Sequence, residues 1–163
     1  SLKAMTDSLG AAEFVANFIN TYAKGMMNFL PAIIFLVACV LAFASGTSWG
    51  TFGILIPIVV EAFAGDQTMM IIAISACMAG AVCGDHCSPI SDTTIMASAG
   101  AQSNHINHVN TQLPYAITVA AVSFVTYIVA GFVKTAWIAL PVGIVLMVAT
   151  LLVIKRMHGT VEE

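Results

Sequence analysis

Two aspartates, Asp85 and Asp92, lie in a segment that also contains glycine and proline, between apolar stretches. The same segment supplies the hydroxyl side chains of Ser88, Ser91, Thr93 and Thr94. Oxygen ligands suit hard cations, whereas thiolate and imidazole suit softer metals. This combination predicts a site for a small hard cation such as Na⁺, bound by Asp85 and Asp92 and supported by Ser88, Ser91 and Thr93.

A second polar segment offers further oxygens. Thr47, Ser48 and Thr51 interrupt an earlier apolar stretch, and we expect them to face the two aspartates. Two structural explanations stay open beside ion binding. Ser91 or Asp92 could serve as the N-cap of a following helix, and small hydroxyl residues could allow close packing between membrane helices.

The composition places these side chains in a membrane protein. Hydrophobic residues make up 60% of the 163 residues, charged residues 8%, and the mean hydropathy is +0.98. About a quarter of the residues in a typical soluble domain are charged, so a soluble enzyme is excluded. Eight acidic and five basic residues (net charge −3) leave no basic patch for nucleic acid. We expect a polytopic all-α protein in a lipid bilayer.

Two closing transmembrane helices are predicted in the second half of the chain. Residues 115–132 and 136–154 carry no charged side chain, and each can cross about 30 Å of hydrocarbon as a helix. The connection between them is short, which requires the two spans to run antiparallel.

The first half predicts two interrupted elements. Residues 26–64 are expected to form a re-entrant hairpin with its tip at 45–51, and residues 68–101 a helix broken at 84–94. Backbone groups freed at membrane depth lack water, so such breaks occur where they line a cavity. Paired broken segments indicate the binding site of a transporter. The residues expected to give the breaks their geometry are Gly46, Gly50, Gly84 and Pro89.

The acidic segment also predicts proton chemistry. A carboxylate in a dry interior needs a cation or a proton to offset its charge, and alternating occupancy by the two is antiport. His86 is a candidate proton relay, because histidine changes its charge near neutral pH. Cys83, His86 and Cys87 lack a fourth ligand and match no standard zinc motif. We therefore expect no cofactor, with Na⁺ and H⁺ as transported ions.

Two segments resemble the NhaC-type sodium/proton antiporters. They are 84–94 (GDHCSPISDTT) and 46–52 (GTSWGTF), and the resemblance extends over most of residues 29–154. It implies a transporter with inverted repeats, in which the ion is held at the tips of re-entrant hairpins and broken helices. Members of this family carry two repeats and this chain about one. The expected partner is therefore the N-terminal half of a longer antiporter or a second copy.

The resemblance and the two aspartates predict the exchange of Na⁺ for H⁺ across the cytoplasmic membrane. One alternative is a Na⁺- or H⁺-coupled antiporter of an organic anion such as a carboxylate, because the helix that starts near Thr93 offers a positive N-terminal end. Another alternative is a membrane assembly half that packs on a partner and transports nothing alone.

The chain is expected to have three parts: an amphipathic connector (1–25), a membrane transport domain (26–154) and a cytoplasmic tail (155–163). Lys155 and Arg156 follow the last span directly, which favours a cytoplasmic C-terminus. Because the chain opens with Ser-Leu-Lys, we expect it to be the C-terminal portion of a longer transporter.

A polar segment precedes the two closing spans. Residues 102–113, which include His105 and His108, are expected at the membrane surface as a helix or loop that ends before Pro114.

Overall fold

The computed structural model describes residues 8–10, 17 and 26–158, and every regular element in these stretches is helical. A short 3₁₀ turn, Met27–Phe29, leads into six α-helices. They are α1 (Leu30–Ser45), α2 (Ser48–Ala62), α3 (Gln67–Cys87), α4 (Asp92–Gly100), α5 (His105–Val133) and α6 (Ala136–His158). The predicted connector, apart from 8–10 and 17, and residues 159–163 of the predicted tail lie outside the described residues.

Four stretches are long and apolar enough to cross a membrane: Met27–Ser45, Gln67–Cys87, His105–Val133 and Ala136–Met157. α2 is apolar but has 15 residues. Its length of about 22 Å falls short of a hydrocarbon core of roughly 30 Å. The predicted all-α architecture is confirmed, with a hairpin, an interrupted helix and two closing helices in that order. The chain is a multi-pass membrane protein.

The turn between α1 and α2 is shorter than the predicted tip at 45–51. Only Gly46 and Thr47 lie outside the helices. Gly46 has a φ of +66°, and a Cβ there would meet Ile90 at 3.0 Å, so this position requires glycine. Thr47 caps α2 by accepting a hydrogen bond from the Gly50 N–H at 3.4 Å. The polar residues that suggested a loop therefore begin a helix.

α1 packs closely against α3 through two glycines. Gly80 faces the carbonyl oxygen of Phe35, and Gly84 faces that of Cys39. A Cβ at either glycine would overlap these backbone atoms. The glycines are four residues apart on α3, the spacing that lets membrane helices approach closely.

The break after α3 begins later than predicted. α3 continues to Cys87, and only residues 88–91 separate it from α4, so the expected break over 84–94 was too wide. Gly84 stays helical because it is used for the contact with α1. Pro89 stops the helix instead, since its ring would clash with the carbonyl oxygen of Asp85, four residues earlier.

α5 is longer than the predicted span. It starts at His105, next to Asn104, whose side chain accepts a hydrogen bond from the Asn107 N–H at 3.1 Å. It then continues through Pro114 to Val133. The expectation of a separate surface segment ending before Pro114 was wrong, because a proline that removes one backbone hydrogen bond can bend a long helix without ending it.

Two connections meet at the end of α3 that is opposite the break. Lys134, between α5 and α6, forms an ion pair with Asp66, directly before α3, at 3.3 Å. The Met69 N–H donates to the Asp66 carboxylate at 3.1 Å, and this bond, together with Lys134, lowers the pKa of Asp66. The tip at Gly46 and the break at 88–91 lie together at the other end of α3.

Candidate functional site

Asp85 is a buried carboxylate that three helices share. It lies in the last turn of α3 and is 3% exposed. Its Oδ2 accepts a hydrogen bond from the Ser48 hydroxyl at 3.2 Å, and its Oδ1 accepts one from the Ser91 hydroxyl at 2.6 Å. Ser48 is the first residue of α2, and Ser91 directly precedes α4. The carboxylate thus connects the hairpin to the start of α4.

Asp85 has no basic partner among the residues that the structure describes. The ion pair found among the described residues joins Lys134 to Asp66, at the opposite end of α3 from Asp85. Two hydroxyl donors occupy about half of the roughly four acceptor positions of an ionised carboxylate. A buried charge without a partner is costly, so the free positions of Asp85 suit a cation or a proton.

The remaining predicted oxygens lie in the break and in the hairpin. Ser88 is fully buried, and its hydroxyl accepts a hydrogen bond from the Ile90 N–H at 3.4 Å. Thr51 is also buried, and its hydroxyl donates to the Thr47 carbonyl oxygen at 3.0 Å. Thr47 and Thr51 therefore stabilise the first turn of α2, whereas Ser48 is the hairpin hydroxyl that donates to Asp85.

Asp92 and Thr93 are exposed at the start of α4, whereas both aspartates were expected in a dry interior. The Thr93 N–H donates to Asp92 Oδ1 at 2.8 Å and to the Ser91 hydroxyl at 3.2 Å. Ser91 is thus the N-cap, and its inward side chain leaves the next residue pointing outward. A carboxylate is favourable there because the helix N-terminus is positive. The proposed role of Asp92 as an ion ligand stays a prediction.

Two histidines differ in their relation to the break. His86, the predicted relay, is exposed, and its Nδ1 lies 2.9 Å from the Val82 carbonyl oxygen of its own helix. His105 was expected at the surface, yet its Nε2 lies 2.7 Å from the Pro89 carbonyl oxygen and its Nδ1 3.1 Å from the Ser98 hydroxyl. A carbonyl only accepts, so Nε2 of His105 carries a proton. The His105 imidazole thus connects the start of α5 to the break through a hydrogen bond.

A row of hydroxyls lies on the inner face of α4. Ser91, Thr94 and Ser98 are all buried. Within the described part of the chain, Thr94 Oγ1 is the buried side-chain oxygen that lacks a hydrogen-bond partner. Thr94 was among the hydroxyls expected near the site, whereas Ser98 was not. The spacing of the three residues, which places them on one helical face, could have revealed Ser98.

Known proteins with similar sequences are several times longer. An uncharacterized protein of Haemophilus influenzae is 48% identical over 131 residues, which are 80% of this chain and 25% of that protein. The malate-2H(+)/Na(+)-lactate antiporter of Bacillus subtilis is 30% identical over 111 residues, 65% of this chain and 24% of that protein. The arginine/ornithine antiporter ArcD of Halobacterium salinarum is 32% identical over 111 residues, 66% and 23% respectively. The chain thus spans about a quarter of these relatives, and no solved structure matches it.

A family comparison covers the whole site. The sequence model of the Na⁺/H⁺ antiporter family matches residues 2–132, which include the hairpin, the break and Asp85 with its hydroxyl partners. The resemblance drawn from segments 46–52 and 84–94 is thereby confirmed. The chain belongs to the Na⁺/H⁺ antiporter family.

Proposed function

We propose that this chain provides the ion site of a secondary transporter that exchanges Na⁺ for H⁺ across the cytoplasmic membrane, with its C-terminus in the cytoplasm. The observation that carries the proposal is Asp85, a carboxylate 3% exposed, held by two hydroxyls and without a basic partner among the described residues. Transport, rather than enzymatic catalysis, is the function that such a site in a multi-pass membrane protein supports.

In this proposal Na⁺ and H⁺ compete for one carboxylate. Na⁺ binds as a hard cation to oxygen ligands, with Asp85 as the anionic ligand and Ser48 and Ser88 as neighbouring hydroxyls. A proton on Asp85 removes the charge that holds Na⁺, so one ion leaves as the other binds. An empty, ionised Asp85 would be costly to move through a dry interior. This cost couples the movement of the site to its occupancy, which is the requirement for antiport.

Asp92 is the second carboxylate of the proposed site. It lies at the exposed start of α4, next to the Ser91 that donates to Asp85. From there it attracts cations towards the buried carboxylate and completes the negative charge of the site.

A second candidate is the coupled exchange of an organic anion. Two relatives named above are a malate-2H(+)/Na(+)-lactate antiporter and an arginine/ornithine antiporter, so organic substrates occur among similar proteins. The N-terminus of α4 is the position where an anion would be expected. It already carries Asp92, and the Ser91 side chain caps it. Negative charge at this position favours a cation over an anion.

The third candidate is an assembly half that needs a partner. The chain spans about a quarter of its relatives, and the remaining part of a longer antiporter or a second copy would complete the transport path. Binding and flux must therefore be measured separately.

The test uses the chain reconstituted into liposomes that contain a pH-sensitive dye, with binding of ²²Na⁺ measured on the same preparation. A sodium gradient is expected to drive proton flux in the absence of organic acids. Asp85→Asn should abolish both flux and binding, and Asp92→Asn should abolish flux while the protein stays folded. Asp66→Asn is the matched control, because Asp66 is an aspartate at the opposite end of α3.

Each other outcome has a separate meaning. Full flux in Asp85→Asn would refute the proposed site. Flux that requires an added organic acid would favour the second candidate, and Asp85-dependent binding without flux would favour the assembly half.

A further inference from the structure

We propose that Thr93 and Ser91 form a proton relay from the surface of α4 to Asp85, separate from the hairpin side of the site. This inference rests on the proposed function, because it assigns the path of the proton that competes with Na⁺. The relay would give the two ions different contacts with the same carboxylate.

The three side chains form a continuous row of short hydrogen bonds. The Thr93 hydroxyl lies 2.7 Å from the Ser91 hydroxyl, which lies 2.6 Å from Asp85 Oδ1. Thr93 is exposed, Ser91 is fully buried and Asp85 is nearly so. The row therefore runs from the protein surface to the buried carboxylate without a gap.

The hydrogen atoms of this row point in one direction. An ionised carboxylate only accepts, so the single hydroxyl hydrogen of Ser91 is donated to Asp85. The contact between Ser91 and Thr93 must then use the hydroxyl hydrogen of Thr93. Both donors point towards Asp85, which is the orientation that delivers a proton inwards.

The transfer balances in atoms and charge. A hydronium ion at the surface gives a proton to the Thr93 oxygen and becomes water. Thr93 passes its original hydroxyl hydrogen to the Ser91 oxygen, and Ser91 passes its original hydroxyl hydrogen to Asp85 Oδ1. Each hydroxyl ends with one hydrogen, and Asp85 ends neutral. No oxidant, reductant or further reactant takes part.

The second oxygen of the carboxylate faces a different element. Asp85 Oδ2 accepts from the Ser48 hydroxyl of the hairpin at the longer distance of 3.2 Å. We assign this side to Na⁺, because its hydroxyl bond is the weaker of the two and is the easier to exchange for a cation.

The titratable groups of the elements that meet here do not interrupt the row. Asp92 is the neighbour of Thr93. Its carboxylate accepts a hydrogen bond from the Thr93 N–H and not from the Thr93 hydroxyl. The His86 ring forms a hydrogen bond with a carbonyl oxygen of its own helix α3. The His105 ring forms hydrogen bonds with the Pro89 carbonyl oxygen and the Ser98 hydroxyl. The thiols nearest in sequence to Asp85 are Cys83 and Cys87 on α3.

The test compares Thr93→Val with Thr93→Ser in the liposome assay. Valine keeps the shape of threonine and lacks the hydroxyl, whereas serine keeps the hydroxyl. Thr93→Val is expected to lower the maximal flux about tenfold or more, while the sodium concentration at half-maximal flux stays within about twofold. Thr93→Ser should restore the rate. Thr111→Val is the matched control, because Thr111 is an exposed threonine whose hydroxyl bonds carbonyl oxygens of its own helix.

The outcomes separate the relay from the proposed function. Sodium-driven flux in the wild type together with an unchanged rate in Thr93→Val would refute the relay and leave the exchange intact. A change in half-saturation without a change in maximal flux would also refute it, since Thr93 would then bind the cation. Absence of both sodium-driven flux and Asp85-dependent sodium binding in the wild type would refute the proposed function, and the relay would fall with it. Asp85-dependent binding without flux would favour the assembly half and would refute a relay that works in this chain alone.

Discussion

Thr94 lies on the inner face of α4, yet its hydroxyl has no hydrogen-bond partner within the described residues. The hydroxyls before and after it on this face are paired, Ser91 with Asp85 and Ser98 with His105. A buried hydroxyl without a partner costs about 1–3 kcal/mol. Bound water or an ion usually satisfies such a group in native proteins. Thr94 therefore offers one free polar position on α4, three residues after the Ser91 that donates to Asp85.

Removing this hydroxyl should cost no stability in sodium-free detergent solution. Thr94→Val is expected to keep or raise the free energy of unfolding by up to about 1 kcal/mol, because it deletes an unpaired polar group. Thr51→Val should lower it by about 0.5–1.5 kcal/mol, because the Thr51 hydroxyl is buried and bonded to the Thr47 carbonyl oxygen. Chemical denaturation of both variants measures the difference. A larger loss of stability in Thr94→Val than in Thr51→Val would show that the Thr94 hydroxyl already has a bound partner.

The sequence predicted part of the site at this scale. The expected approach of segment 47–51 to the acidic segment is present in the contact between Ser48 and Asp85. The expectation that Asp92 is buried was wrong, because the direction of this side chain depends on the residue at which α4 begins. Helix boundaries are hard to read to within one or two residues, and a shift of one residue turns a side chain from the interior to the surface.

Among the elements, α3 is held in place by its contact with α1. Gly80 and Gly84 bring the backbones of the two helices together without intervening side chains. Because Asp85 follows Gly84 directly, this contact also sets the distance from the carboxylate to the hairpin. The position of the site therefore depends on backbone packing as well as on hydrogen bonds.

A methyl group at Gly84 should separate the two helices. Gly84→Ala is expected to lower the free energy of unfolding by about 1–3 kcal/mol, because its Cβ would overlap the Cys39 carbonyl oxygen. Gly53→Ala is the control: nothing lies near that Cβ on α2, and alanine in a helix favours stability by roughly 0.5–1 kcal/mol. Thermal and denaturant unfolding in detergent compares them. Equal stability of the two variants would contradict the close contact.

The sequence predicted the types of the elements correctly, but it did not predict the residues at which the helices begin and end. Apolar stretches of sufficient length predicted the spans, since the requirement for about 20 residues is physical. Gly84 was interpreted as a helix breaker because glycine favours turns, but packing against α1 keeps it helical. The pair Gly80 and Gly84 has the spacing of a helix contact, a signal that was available and was not used.

Over the whole molecule, the ends of the helices separate into two sides. Asp66 and Lys134 join the connections before α3 and after α5. The hairpin tip, the break and the start of α5 lie at the other end, where Gly46 contacts Ile90 and His105 contacts Pro89. α6 runs antiparallel to α5, so its C-terminal end shares this second side.

Membrane-impermeant maleimide should distinguish these sides in vesicles of known orientation. Gly65→Cys is expected to label from one side and Ser103→Cys from the other, because Gly65 neighbours Asp66 and Ser103 lies before α5. Both positions are exposed. If the C-terminus lies in the cytoplasm, as proposed, Ser103→Cys is expected to label from the cytoplasmic side. Detergent-solubilised protein, in which both should react, is the control. Labelling of both from the same side would contradict the arrangement of spans.

The two hydrogen bonds of Asp85 come from different helices, and this has a mechanical consequence. An ionised carboxylate accepts from both hydroxyls, whereas a protonated one becomes a donor at one oxygen. Once Oδ1 carries a hydrogen, the Ser91 hydroxyl has to rotate, while the bond from Ser48 can persist. The Oδ1 hydroxyl then donates to the Ser91 oxygen, so the bond between α3 and the start of α4 reverses its direction, while the bond with the hairpin keeps its direction. The protonation state of one buried side chain is thereby coupled to the hydrogen bonding between two helices.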